Sequence, residues 1–346
     1  MVYNILIILV WKEVSPLEER QNSAARAISV TMALTLIGKV LGLYRDRLLA
    51  VHYNTGPAAN AFFTASRIPR VFFDAVFASA IAACFIPVFS EYLEKKGKKE
   101  ALRFAGSFLT IITLFTGALM LAGMSFPRPF VALFADYSDP YTVELAVSLT
   151  RVMFPTVLFS GVAFSLVGVL QAQDHFTAPA LMSTVSNLVI IAYFFTLDRS
   201  MGIYGLAGAY LLGWFLQGII LLPPLRRLNN PLPPGLDWRS EGMKKVFRLM
   251  GPVMVSTWVQ PISLAINSRF GSQLYKGAGV SALEYSSNLY LVIAGVFILS
   301  VTNVIFPRLS RLTAGGQEDA FQDTIRQTLR VSLFFILPMS AGLTAV

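Results

Sequence analysis

The chain has 346 residues, 55% of them hydrophobic and only 14% charged, with a net charge of +9 and a mean hydropathy of +0.62. An ordinary soluble domain carries about 25% charged residues. So little charged surface cannot cover so much apolar area, which disfavours a soluble enzyme and predicts an all-α polytopic membrane protein. The Lys and Arg residues cluster in a few loops between apolar runs, so the positive charge reads as membrane topology and not as a nucleic-acid face.

Residues 1–23 form an N-terminal extension. Its Met1–Trp11 stretch is apolar but short, and lacks the basic flank of a signal peptide. A spanning helix needs about 20 mostly apolar residues. Nine segments qualify: 26–49, 57–89, 102–126, 143–170, 179–197, 203–222, 246–274, 282–306 and 324–346. NTGP (54–57), DYSDP (136–140), LDRSMG (197–202) and NNPLPPG (229–235) punctuate them.

The first segment carries GKVLGLYRDRLLA at 38–50. Lys39 lies about 20 Å along the helix from Arg26, deep in the bilayer, where a charge is expensive. Lys39, Gly42 and Asp46 share one face by their i, i+3, i+7 spacing. Arg45 and Arg47 lie further along, where anchoring at the headgroups and a place in a cavity are both open. Gly38 and Gly42 form a GxxxG pair suited to close helix packing.

The second segment repeats the spacing with Arg67, Arg70 and Asp74, and Pro69 between the arginines is a bend candidate. Its structural reading is an internal ion pair plus an interfacial arginine. Its functional reading is a common outward cavity into which Lys39, Arg45, Arg67 and Arg70 point, moderated by Asp46 and Asp74. Such a cavity suits an anionic head such as a phosphate.

Later segments carry milder polarity. Asn187 and Asn303 suit helix–helix hydrogen bonding. Gly251 with Pro252, and Gln260 with Pro261, are hinge candidates in the seventh segment, and Asn288 adds an amide to the eighth.

The loops set an expected orientation. EYLEKKGKKEALR (91–103) carries five basic residues and 224–248 carries six. Arg308, Arg311, Arg326 and Arg330 flank the last two segments, whereas the alternate loops hold Arg128, Arg199 and Lys276. This predicts a cytoplasmic N-terminus. The link 224–245 divides a six-helix lobe, 24–223, from the first three helices of a second lobe, 246–346. FIPVFSEYL (85–93) resembles IFPRLSRLT (305–313), with Pro87 and Pro307 220 residues apart, as expected of parallel repeats. The last segment stops in an apolar run, so the chain reads as the first part of a longer protein.

Cys84 is the single cysteine, and His52 and His175 have no metal-ligand neighbours in sequence. No GxxxxGK[ST], GxGxxG or Ser-His-Asp pattern is present. No catalytic residue, metal or cofactor is expected.

GKVLGLYRD (38–46), NAFFTASRIP (60–69), FIPVFSEY (85–92), QAQDHFTAPA (171–180) and MGPVMVSTWVQPISLAIN (250–267) together resemble the MurJ/MviN family. These are the bacterial lipid II flippases of the multidrug/oligosaccharidyl-lipid/polysaccharide superfamily. The resemblance implies a two-lobe fold of fourteen helices, about nine of them present here. It implies alternating-access transfer of undecaprenyl-pyrophosphate-linked disaccharide-pentapeptide across the bacterial inner membrane for peptidoglycan synthesis, driven by membrane potential or an ion gradient. The implied partners are that lipid substrate, membrane lipids and cell-wall synthesis proteins, with no nucleic acid. The family pattern is kept at Lys39, Gly42, Arg45 and Asp46. It is altered at Asn60, where an acid is usual, at Phe73 and Asp74, where arginines are usual, and at Asn288, where an arginine is expected. Those departures keep other readings in view: an exporter of another polyprenyl-linked glycan or of a drug, or a non-transporting envelope scaffold.

Overall fold

A computed structural model describes residues 16–73, 81–229 and 231–290, and in the C-terminal part 305, 309, 312–313 and 317–344. Asp74, Asn303, Pro307 and Ser310 fall outside the described residues, so the proposed repeat is described in its first copy only. Among the described residues the secondary structure is entirely helical. Contacts divide the chain into two compact units, Met1–Ser281 and Ala282–Val346.

In the first unit, α1 (Pro16–Tyr53) is one long helix. It ends at Asn54, whose φ of 50° is the left-handed turn that stops a helix; the Asn54 N–H donates back to the Ala50 carbonyl at 2.9 Å. α2 (Pro57–Phe73) starts on a proline whose fixed φ suits the first helical position. The expected run 57–89 is not uniformly α-helical. A π-helical turn, Ile81–Phe85, precedes α3 (Ile86–Lys95), with Pro87 inside its first turn. Pro87 has no N–H to return to the preceding turn, which accounts for the widened helix just before it.

α4 (Gly97–Ser125) is followed by the short α5 (Pro127–Phe134). α6 (Pro140–Met153) and α7 (Thr156–Gln171) abut across Phe154 and Pro155. Asp139 caps α6 by accepting from the Tyr141 and Thr142 N–H groups at 3.2 and 3.1 Å. α8 (Thr177–Thr196) and α9 (Asp198–Ile219) follow, the latter broken at Gly202, where φ is 53°. α10 (Leu222–Arg227) leads into an extended link, then α11 (Glu241–Thr257) and α12 (Val259–Gln273). A 3-10 turn, Leu274–Gly277, precedes a helix over 279–290. In the second unit, α13 (Glu318–Thr344) runs through Pro338.

Among the described residues, four helical stretches are long and apolar enough to cross a membrane: Gly97–Ser125, Pro140–Gln171, Thr177–Thr196 and Asp198–Arg227. α11 and α12 pass as a bent pair, with 41° between them. These match the third to seventh expected segments; the eighth lies mostly outside the described residues, and the count of nine is not reached within them. The short helices α5 and α10 were not expected.

The core is aromatic. Phe85 stacks on Phe108 at 4.3 Å and on Phe89 and Phe104 at 5.5 and 5.7 Å, tying the π turn to α3 and α4. Large apolar side chains such as Leu114, Leu121, Phe195 and Phe215 stay exposed, as suits helices facing lipid chains.

Candidate functional site

α1 packs along α8, and the GxxxG pair makes the approach close. A Cβ at Gly38 would stand 3.3 Å from Ser183 and Thr184, and one at Gly42 would stand 3.4 Å from the Asn187 amide nitrogen. Bare glycine lets the backbones meet, so that Asn187 bonds both ways across the seam. Its Nδ2 donates to the Gly38 carbonyl at 2.9 Å and its Oδ1 accepts from Arg45 Nη1 at 2.9 Å. Arg45 also donates from Nε and Nη2 to Asp46 Oδ1, at 2.9 and 2.6 Å. Arg45 is therefore no isolated headgroup anchor. It is held from two sides with its side chain 26% exposed. Lys39, one position after Gly38, is half-buried and has no hydrogen-bond or ion-pair partner among the described residues. Arg47 is exposed.

The second group of expected residues stands against a different element. Arg67 is buried on α2, and its charge is felt by Tyr137 in the segment between α5 and α6. Arg70 is exposed, and the helix continues through a buried Pro69. Arg45 therefore sits on the α1–α8 seam and Arg67 beside Tyr137, while Lys39 is half-buried on α1. The single cavity expected for all four remains a proposal. Asp74 lies outside the described residues, and Asn288 is half-buried in the second unit.

Sequence reasoning missed a polar knot around Asn60 at the end of the bundle that carries the Asn54–Gly56 turn. Asn60 is 2% exposed. Its amide donates to the Thr55 carbonyl at 2.9 Å and accepts the Ser281 N–H at 3.1 Å, while its own carbonyl accepts the Tyr137 hydroxyl at 3.0 Å. Tyr137 shares a 2.6 Å bond with Thr64. Burial pushes the Tyr137 phenol up to about 12, against smaller downward pulls from Thr64 and the Arg67 charge. Nearby, the Asp136 N–H donates to Ser272 Oγ at 2.7 Å, and Arg269 lies 3.6 Å from the Asp136 carboxylate. The knot joins α2 and the 135–139 segment to α12 and the helix after it. The hint in the sequence was the Asp, Ser and Tyr content of DYSDP opposite an amide at the start of an apolar helix.

At the opposite end, α3 and α11 are joined by charge. Glu91 takes Lys95 at 2.9 Å and also Lys245, while Lys96 takes Glu241 at 2.7 Å. The Tyr92 hydroxyl accepts the Gly242 N–H at 2.8 Å. Lys245 and Lys95 hold the Glu91 carboxyl near 2, far below the usual carboxylate value.

The α11–α12 break falls at Trp258. Pro261 is buried and has no N–H to give to the carbonyl four residues back, at Thr257, where α11 ends. Gly251 and Pro252, the other hinge candidates, lie within α11, which continues through them. No group of His, Cys, Asp and Glu suited to a metal ion occurs among the described residues.

A family model described as lipid II flippase MurJ matches residues 50–346. The chain is 30% identical over 321 residues to a probable lipid II flippase MurJ of Buchnera aphidicola subsp. Acyrthosiphon pisum (strain APS), covering 90% of this chain and 62% of that relative. It is 26% identical over 326 residues to the lipid II flippase MurJ of Burkholderia cenocepacia, covering 92% and 63%. The chain thus spans a little under two thirds of the length of these curated relatives. A structure titled lipid II flippase MurJ, inward closed conformation, superposes with a TM-score of 0.71 at 25% identity, over 90% of this chain and 64% of the other. An inward-facing multidrug resistance MATE family transporter of the MOP superfamily shares the fold, with a TM-score of 0.63 at 15% identity, over 92% and 72%. With 50–346 of its 346 residues matched, the chain belongs to the MurJ lipid II flippase family.

Proposed function

We propose that this chain works as part of a transporter that moves lipid II from the cytoplasmic to the outer leaflet of the bacterial inner membrane, supplying peptidoglycan synthesis by alternating access. The family match over residues 50–346 carries the reading. The basic-loop count supports a cytoplasmic N-terminus, which puts the Asn60 knot at the outer end and the Glu91 network at the cytoplasmic end. Residues 24–223 form the first lobe, 224–245 the link and 246–346 the start of the second.

Lys39, Arg45, Arg67 and Arg70 meet the pyrophosphate, and Asp46 and Asp74 moderate their charge; within the second unit, taken by itself, Asn288 is a further candidate polar contact for the cargo. Gly38 and Gly42 set the α1–α8 seam, Pro69 shapes α2, and Gly251, Pro252 and Pro261 let the seventh span flex. Opening outward requires the Asn60 knot to separate, and opening inward requires the Glu91 network to do so. Membrane potential or an ion gradient drives the cycle, with no cofactor. Membrane lipids and cell-wall synthesis proteins are its surroundings and partners.

Depleting the full-length protein in a strain with no paralogue tests this. Labelled lipid II should cease to appear on the outer leaflet. Unchanged exposure refutes the reading, as does binding of organic cations in preference to pyrophosphate lipids.

A further inference from the structure

The geometry points to Asn187, on α8, as a positioning residue that aims Arg45 at the anionic oxygens of a phosphate. The inference rests on the proposed lipid pyrophosphate cargo and adds to it a residue that holds the reading head without touching the cargo.

A guanidinium has five N–H donors in a planar fork. Asp46 takes one from Nε and one from Nη2, and Asn187 takes one from Nη1. That leaves one N–H on each terminal nitrogen, two donors for the oxygens of a phosphate. The two existing partners fix the plane of the fork as well as its place. Asp46 alone, the next residue on the same helix, leaves Arg45 free to swing about its long side chain. Asn187 stops that swing from a second helix.

Asn187 is itself immobilised. It is 3% exposed. Its Nδ2 donates to the Gly38 carbonyl at 2.9 Å and lies 3.4 Å from Ser183 Oγ. The Nδ2 bonds fix which way the amide faces, so its oxygen must face Arg45. A neutral acceptor also suits the task better than a second carboxylate. It orients the guanidinium without cancelling the charge that attracts the anion, which Asp46 already moderates. Glycine at 38 and 42 serves the same end by letting α8 come close enough for the amide to reach.

The test uses the full-length protein in nanodiscs, with fluorescent lipid II as probe and undecaprenol as the control that lacks the pyrophosphate. Asn187→Ala should bind lipid II about tenfold more weakly, the scale of one lost charge-assisted hydrogen bond, with undecaprenol binding unchanged. Arg45→Ala should lose at least as much, and adding Asn187→Ala to it should weaken binding no further. If Asn187 merely clamps two helices, its effect persists undiminished in the Arg45→Ala background, and the inference is overturned. Because Asn187→Ala also removes a helix contact, Arg45→Lys gives a second reading with the Gly38 bond intact. Lysine keeps the charge but has no planar fork, so it too should bind about tenfold more weakly; wild-type affinity there overturns the inference. Wild-type protein that binds lipid II no better than undecaprenol overturns the cargo assignment and this inference together. Normal wild-type binding with an additive cycle overturns the positioning role alone.

Discussion

At the scale of single residues, the anomaly on α1 resolves into two different charges. Arg45 is bound into the helix seam by three hydrogen bonds. Lys39 is half-buried with no described partner. An ionisable side chain within a membrane segment is a candidate functional group by default. On the proposed function, Lys39→Ala should lower lipid II transport by about tenfold or more, the cost of one charge-assisted contact, and leave membrane insertion intact. Transport by the full-length variant in vesicles, beside a Val40→Ala control, decides it; a wild-type rate removes Lys39 from the site.

Gly106 shows a residue working by what it lacks. The link 231–237 crosses α4 there, and a Cβ on Gly106 would lie 2.0 Å from the Pro233 carbonyl oxygen. The Gly235 N–H then donates to Thr110 Oγ1 at 3.3 Å. The link is thus docked on α4 rather than loosely strung between helices. Gly106→Ala should push it off and cost about 1–3 kcal/mol, read as a lower unfolding temperature in detergent with faster hydrogen exchange over 231–237. Unchanged exchange there would show that the link does not depend on the contact.

At the scale of elements, the seventh span is the informative one. Gln260–Pro261 and Gly251–Pro252 look alike in sequence, since each places a proline within an apolar helix. The structure separates them. The 41° bend falls one turn before Pro261, while α11 runs on through Pro252. Restoring the N–H with Pro261→Ala lets residue 261 bond to the Thr257 carbonyl and should straighten the pair. Spin labels at the exposed Val255 and Phe270 should then move apart, and transport should fall if flexing of this span is part of the cycle. An unchanged label distance means that packing, not the missing donor, sets the bend.

The same span shows what a sequence can and cannot disclose. Spans with an uninterrupted apolar run, such as 102–126 and 179–197, were readable because length and hydropathy are local properties. The side on which Arg45 finds Asn187, 142 residues away, is a property of packing. So is the knot that brings Ser281 to Asn60, 221 residues apart. The residue types were visible, and Asn187 was expected to bond between helices, but not its partners. The placing of four cations in one cavity followed from helical spacing alone, and spacing says nothing about which neighbour each face meets.

At the scale of the molecule, the two ends of the first unit are closed by different chemistry, with different consequences for pH. The Asn60 knot rests on an amide, hydroxyls and backbone groups, with a phenol pushed up to about 12, so it keeps its protonation through the neutral range. The Glu91 network rests on an exposed carboxylate. Its carboxyl is lowered to about 2 in the folded chain, against about 4.3 for a free glutamate. A lowered carboxyl stabilises the fold fully above the free value, and that stabilisation is lost as pH falls from there toward 2. The α3–α11 contact should therefore be indifferent to pH between 5 and 9 and weaken only below about 4.5. Because the ions are exposed, about 1 M salt, which shortens the screening length to about 3 Å, should weaken it at neutral pH as well. Spin labels at the exposed Glu94 on α3 and Phe247 on α11 should show one narrow distance from pH 9 to 5 that broadens progressively as pH falls from about 4 toward 2, and a broad one in 1 M salt or in Glu91→Gln at any pH. A narrow distance in Glu91→Gln would mean that the Tyr92–Gly242 bond and the core behind it hold the two helices without the charges, and that the proposed cytoplasmic end opens against packing rather than against ions.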